Sequence, residues 1–126
     1  MKFKQILFLG LVILFSSCYY DVEEELYPTN ISKCDTTNTK LSTKIKPILI
    51  KNCYVCHSVS NSINLGGNID LETYTELKKY VDNSKLLMSI KHQSGVWSMP
   101  KGTSYKIPAC DINKIEYWIK IGAKND

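Results

Sequence analysis

Apolar residues recur at spacings of three and four along three stretches of the chain, which predicts three helical regions. The predicted regions are residues 43–56, residues 73–92 with a break near Asp82-Asn83-Ser84, and the segment from Asp111, a good N-cap, to Gly122, a natural stop. No hairpin signal stands out between them. The pattern therefore predicts an all-α fold, with Trp118 in the core beside the apolar stripe of the last helix.

A fourth apolar run, residues 6–15, differs from these stretches because it follows the basic start Lys2 and Lys4 and leads into small residues. Its ten residues are fewer than the roughly 20 that a membrane-spanning helix needs. A basic start, a short apolar run and small residues are typical of a secretory signal. We therefore expect residues 1–17 to be a signal peptide, with an uncleaved membrane anchor as the alternative.

The signal ends in Phe15-Ser16-Ser17-Cys18, which resembles a bacterial lipobox. In lipoproteins of that type the cysteine is lipidated, and its two or three acyl chains together give stable anchoring. Residues 18–33 are rich in acids and contain a proline, so we expect a flexible tether. The sequence predicts a lipoprotein anchored at Cys18 outside the cytoplasm, facing the periplasm or the cell surface.

The domain without the tether is basic, because residues 31–126 contain 14 lysines and only eight acidic residues. A basic domain suits docking with acidic partners or with a membrane surface. Nucleic acid is a weaker interpretation, because the chain has no arginine for bidentate phosphate contacts and is predicted to be exported. We expect protein partners with acidic docking surfaces, no nucleic acid, and a monomer.

The most distinctive sequence motif lies at residues 53–57, which read CYVCH. The spacing C-x-x-C-H is the attachment site of c-type haem. Cys53 and Cys56, one helical turn apart, would bond the two vinyl groups of one haem, and His57 would be the proximal iron ligand. A zinc site is the alternative, but its further ligands would have to come from Cys34, Cys110 and His92, which are scattered along the chain.

The five cysteines of the chain are accounted for if each has a separate role. Cys18 would carry lipid and Cys53 and Cys56 would carry haem, which leaves Cys34 and Cys110 near the two ends of the domain. We expect a disulfide between them, because an oxidising compartment disfavours two free thiols.

The sixth iron ligand has three candidates, Met88, His92 and Met99. Met88 lies in the apolar stretch LLMSI, where a methionine ordinarily fills core space. Met99 lies in a long glycine-flanked loop, and Pro100 favours an extended backbone there. His92 is expected near a helix end and facing solvent. We expect Met99 to be the distal ligand, with surface packing of a loop methionine as the alternative.

Together, CYVCH, Met99-Pro100 and the closing Trp118-Ile119 resemble a class I c-type cytochrome, and more narrowly the small monohaem cytochrome c-like lipoproteins of Bacteroidota. The resemblance covers residues 34–126. It implies a helical domain wrapped around one covalent haem c, with His57 and Met99 as axial ligands. Many relatives hold the proximal histidine with the carbonyl of a nearby proline, but no proline lies between His57 and Met99, so the group that orients His57 is unknown.

The function that we expect is one-electron transfer between extracytoplasmic partners, so that the protein is an electron carrier and not an enzyme. A haem-based sensor or gas-binding module with an open sixth iron position is the alternative. A small peroxidase is the weakest interpretation, because no distal acid–base residue accompanies the Met99 loop. Stable six-coordinate iron would favour electron transfer, and five-coordinate iron would favour sensing.

Overall fold

The structure, a computed structural model, describes residues 34–126, and these residues form one compact unit. The predicted signal peptide (residues 1–17), the lipidation site Cys18 and the tether (residues 18–33) lie outside the described residues.

Within residues 34–126 the regular structure is helical, with no strand, as the apolar pattern predicts. A π-helical turn at Leu41–Ile45 precedes the α-helices. The α-helices are α1 (Lys46–Asn52), α2 (Tyr54–His57), α3 (Tyr74–Asp82), α4 (Lys85–Ile90) and α5 (Ala109–Lys120).

The first helical region begins two residues earlier than predicted and is not continuous. The π-helical turn leads directly into α1, whose first turn contains Pro47, where a missing N–H group costs least. The helix is interrupted at Cys53, which has φ −124° and ψ −40°. Just before the interruption, the Asn52 side chain donates a hydrogen bond to the Ile48 carbonyl (2.8 Å). Side-chain bonds of this kind compete with the helix backbone, which fits a break at this position.

The second region breaks where the sequence predicts, between α3 and α4. Ser84 adopts a left-handed conformation (φ 63°), and the Asn83 carboxamide oxygen accepts a hydrogen bond from the Lys85 N–H (3.0 Å). The region ends at Ile90, two residues before the predicted end at His92, because His92 itself has a left-handed backbone (φ 55°).

The last helix starts earlier than predicted. Pro108 is the N-cap residue, so Asp111 lies inside the first turn, where its negative charge favours the helix N-terminus. The proline's missing N–H group and restricted φ suit that start, and they outweigh the capping preference of Asp111. Gly122 follows the helix end with φ 103°, as predicted.

The core lies around α5, which packs against α4 and against the π-helical turn. Trp118 is fully buried, as predicted, and its indole N–H donates to the Lys124 carbonyl (3.0 Å). Tyr74 of α3 donates its hydroxyl to the Ala123 carbonyl (2.9 Å). The segment after α5 is thereby held against the rest of the domain.

Cys34 and Cys110 lie at disulfide distance, as the cysteine accounting predicts, with an S–S distance of 2.12 Å and a Cα–Cα distance of 5.4 Å. Cys110 lies within the first turn of α5, one residue after its start. The bond joins the segment before the π-helical turn to the last helix. None of the helices in residues 34–126 is long and apolar enough to cross a bilayer.

Candidate cofactor site

A cavity of about 850 Å³ lies against α2, and residues from distant parts of the sequence line it. The motif residues Cys53, Cys56 and His57 form one side. Met99, from the loop between α4 and α5, also lines the cavity. The four residues that the sequence predicts to bind the cofactor therefore line the same cavity.

The remaining walls are mainly apolar and come from α4 and from the loops around the cavity. They include Leu65, Ile69, Leu86, Ile90 and Trp97. Two of these side chains are nevertheless largely exposed to solvent, Leu65 at 62% and Trp97 at 77% of their surface. The volume falls within the range of roughly 300–1,000 Å³ that is common for ligand pockets. A large apolar molecule in the cavity would cover such side chains, which fits a haem.

Cys53 and Cys56 are both free thiols in this structure, unlike the Cys34–Cys110 pair. The Cys56 N–H donates to the Cys53 carbonyl (3.1 Å), so the two residues occupy one tight turn despite the interruption at Cys53. Burial raises the pKa of the Cys53 thiol to about 11. At neutral pH that thiol is therefore protonated.

His57 is oriented by a backbone carbonyl that the sequence did not reveal. Its Nδ1 atom lies 3.0 Å from the Ile69 carbonyl oxygen. A carbonyl oxygen can only accept a hydrogen bond, so Nδ1 carries the proton and Nε2 keeps a lone pair for a metal. A bond of this kind fixes the tautomer and the ring orientation of a ligating histidine.

The backbone around His57 is tied to the loop that carries Ile69. The Leu71 N–H donates to the His57 carbonyl (2.9 Å), and the Glu72 carboxylate accepts from the Val59 N–H (3.0 Å). The segment before α3 therefore runs alongside the segment after α2, which brings the Ile69 carbonyl to the imidazole.

Gly66 is a second residue of the site that sequence reasoning did not identify. A Cβ atom at this position would lie 2.5 Å from the Cys56 carbonyl oxygen and 2.9 Å from His57 Nδ1. Both distances are too short for any side chain, so glycine permits the loop to approach the motif. The pair Gly66-Gly67 was the available signal, but it does not show which partner the backbone approaches.

Met99 is the one candidate for the sixth ligand that lines the cavity; Met88 and His92 do not. The Met99–Pro100 peptide bond is cis. His92 is half-buried and not simply solvent-facing as predicted, because its Nε2 atom lies 2.9 Å from the Met99 carbonyl oxygen. Met88, on α4, is also half-buried.

The charged residues that line the cavity are Lys85 and Lys101. No carboxylate of the described residues lies among the lining residues. Lys101 also lies over the Trp97 ring, 5.5 Å from its centroid. The cavity therefore carries positive charge.

In the part of the chain that the structure describes, no three His, Cys, Asp or Glu side chains converge as a metal-binding group. Cys53, Cys56 and His57 thus do not form such a group with one another or with Cys34 or Cys110.

No family model matches this chain, and no curated protein or solved structure is significantly similar to it.

Proposed function

We propose that this chain is a monohaem c-type cytochrome that transfers single electrons outside the cytoplasm. The observation that carries the proposal is that Cys53, Cys56, His57 and Met99 line one cavity of about 850 Å³. The first three lie close together in sequence, but Met99 comes from a loop more than 40 residues later. Such a convergence fits a haem that two thiols would attach and whose iron two further side chains would bind.

The thiols of Cys53 and Cys56 would attach the cofactor. Each thiol would form one thioether bond to a vinyl carbon of the haem, and its proton would pass to the other carbon of that vinyl group. No oxidant or reductant is consumed in this addition.

His57 and Met99 would be the two protein ligands of the iron. The His57 Nε2 lone pair is available because Nδ1 donates to the Ile69 carbonyl. The Met99 thioether is a soft donor, which favours ferrous iron and raises the potential relative to two histidines. The bound haem supplies the one-electron chemistry. The apolar walls formed by residues such as Leu86 and Ile90 exclude water.

The partners in this proposal are redox proteins with acidic docking surfaces. Lys85 and Lys101 support this, because they give the cavity a positive charge that would steer an acidic partner toward it. Lipid at Cys18 would hold the monomeric domain at a membrane, facing the periplasm or the cell surface.

The proposal is tested on holoprotein made with a c-type maturation system. Haem should stay on the polypeptide after denaturation, as mass spectrometry would show, and acid-acetone extraction of free haem would contradict the attachment. Met99→Ala should abolish the weak red band of sulfur bound to ferric iron, lower the potential and allow carbon monoxide to bind ferrous iron.

Met88→Ala is the matched control. Met88 does not line the cavity and is half-buried, so its removal should leave the spectrum unchanged. Its cost in stability should fall below the roughly 2–5 kcal/mol of a fully buried methionine. If the two variants exchange these results, Met88 is the ligand. If neither variant changes the axial spectrum, His92 or an open site takes the sixth position, and the haem-based sensor becomes the favoured function.

A further inference from the structure

Two hydrogen bonds hold the backbone of Met99, one on each side of the residue. The Met99 N–H donates to the Ser89 carbonyl (3.1 Å), and the Met99 carbonyl accepts from His92 Nε2 (2.9 Å). Both partners belong to α4 or to the two residues after it. The loop that carries Met99 has no regular helix before Ala109, so these bonds tie it to a packed element.

His92 reaches this position through an unusual backbone conformation. Its φ of 55° lies in the left-handed region, which is uncommon for a residue with a side chain. Its N–H donates to the Ser89 carbonyl (3.2 Å), the same carbonyl that accepts from Met99. The backbone N–H groups of His92 and Met99 therefore share the Ser89 carbonyl as acceptor. This places the His92 imidazole within hydrogen-bond distance of the Met99 carbonyl.

We propose that His92 is a positioning residue that holds Met99 in place to bind iron. This inference rests on the proposed function, in which Met99 is the distal ligand. Without this bond the Met99 backbone would keep only the hydrogen bond from its N–H to Ser89, so the thioether would leave the iron more often. External ligands would then compete with it more successfully.

The same bond occupies one of the two ring nitrogens of His92. The Met99 carbonyl can only accept, so His92 Nε2 carries the proton, and His92 does not line the cavity. His92 was a candidate ligand in the sequence, but in the structure its side chain binds the Met99 backbone.

The test uses four variants of the holoprotein. His92→Ala removes the donor. His92→Gly also removes it but relieves the left-handed backbone, because glycine populates positive φ freely. His92→Gln restores an N–H donor at a similar reach. Gln93→Ala is the matched control, because Gln93 is exposed and does not line the cavity.

The readouts are the sulfur-to-iron band of the ferric protein and its affinity for added imidazole. His92→Ala and His92→Gly should both weaken the band and raise the imidazole affinity about fivefold, the factor that corresponds to one ordinary hydrogen bond. His92→Gln should return both readouts toward wild type, and Gln93→Ala should change neither.

The outcomes separate this inference from the proposed function. If wild type shows the band, Met99→Ala loses it, and both donor-free variants keep wild-type behaviour, the role of His92 is overturned and the ligand stands. If His92→Gly matches wild type while His92→Ala does not, backbone conformation and not the hydrogen bond is responsible, which also overturns it. If wild type lacks the band and Met99→Ala changes nothing, the ligand assignment fails, and the role of His92 fails with it.

Discussion

Two residues outside the CYVCH motif, Gly66 and Ile69, contact it and line the same cavity. Gly66 allows the loop to lie against Cys56 and His57, and the Ile69 carbonyl orients the imidazole. Neither residue carries a side chain with distinctive chemistry. Their contribution is made through the backbone, so it depends on where the loop lies and not on what the residue could bind.

Gly66→Ala should therefore disturb His57, whereas Gly67→Ala should not. A methyl group at position 66 must displace the Cys56 carbonyl or the imidazole, which should cost about 1–3 kcal/mol of the free energy of unfolding. Gly67 has φ 61° and nothing within 4 Å of its added Cβ, so alanine there should cost about 1 kcal/mol of conformational strain alone.

Denaturant unfolding and the NMR signal of the His57 Nδ1 proton distinguish the two glycine variants. We expect the signal to shift or broaden in Gly66→Ala and to stay in place in Gly67→Ala. An unchanged signal in both variants would show that Gly66 is not needed for the orientation of His57.

At the scale of elements, the turn before α3 is what places the Ile69 carbonyl. Asp70 follows Ile69, and its carboxylate accepts from the backbone N–H groups of Glu72 (2.7 Å) and Thr73 (3.2 Å). Burial alone would raise the pKa of Asp70, but a hydrogen bond from the Thr73 side chain and the two backbone bonds together outweigh it, and the pKa lies below its usual value of 3.8. The ionised carboxylate therefore stabilises the start of α3 and the loop beside His57.

Asp70→Ala should lower the free energy of unfolding by about 1 kcal/mol at neutral pH, because two backbone donors lose their acceptor. A lowered pKa means that this contribution is present above the unfolded pKa and is lost as pH falls through the folded pKa. The difference between wild type and variant should therefore shrink below about pH 4, the ordinary range of an aspartate.

Denaturant unfolding across the acid range measures this difference. Asp82→Ala is the control, because Asp82 forms an exposed ion pair with Lys78 on α3, which contributes little. A difference for Asp70→Ala that stayed constant down to pH 2 would contradict the assignment.

At the scale of the whole molecule, the domain is closed by contacts between its two ends. The Cys34–Cys110 pair joins positions 76 residues apart, and Asp126 accepts from the backbone N–H groups of Leu41 (3.0 Å) and Ser42 (2.9 Å). Neither cysteine lines the cavity. We therefore expect the disulfide to affect stability and leave the cofactor site intact.

Replacing both cysteines, Cys34→Ser with Cys110→Ser, should lower the free energy of unfolding by about 2–5 kcal/mol, with about 4.5 kcal/mol from the chain-entropy model for a loop of this length. The haem absorption spectrum should not change. Peptide mapping of wild-type protein produced in an oxidising compartment should find the two residues linked. Two free thiols, or a spectrum altered by the double replacement, would contradict this role.

Features that depend only on neighbouring residues along the chain could be predicted from the sequence. The spacing from Cys53 to His57, the all-helical class and the break between α3 and α4 are visible in it, because covalent spacing and apolar periodicity are local properties. The number of cysteines also led to the prediction of the Cys34–Cys110 pair. The helix starts were less accurate, because the choice of Pro108 over Asp111 as N-cap depends on competing preferences that the sequence does not rank.

Contacts between residues that are distant in the sequence could be read only from the tertiary structure. It assigned the orientation of His57 to Ile69, 12 residues away, brought Met99 and not Met88 to the cavity, and bonded His92 to the Met99 carbonyl. These contacts use backbone carbonyl groups, which every residue possesses, so residue type carries no signal for them. They arise because packing of the helices fixes the paths of the loops, and those paths exist only in the folded chain.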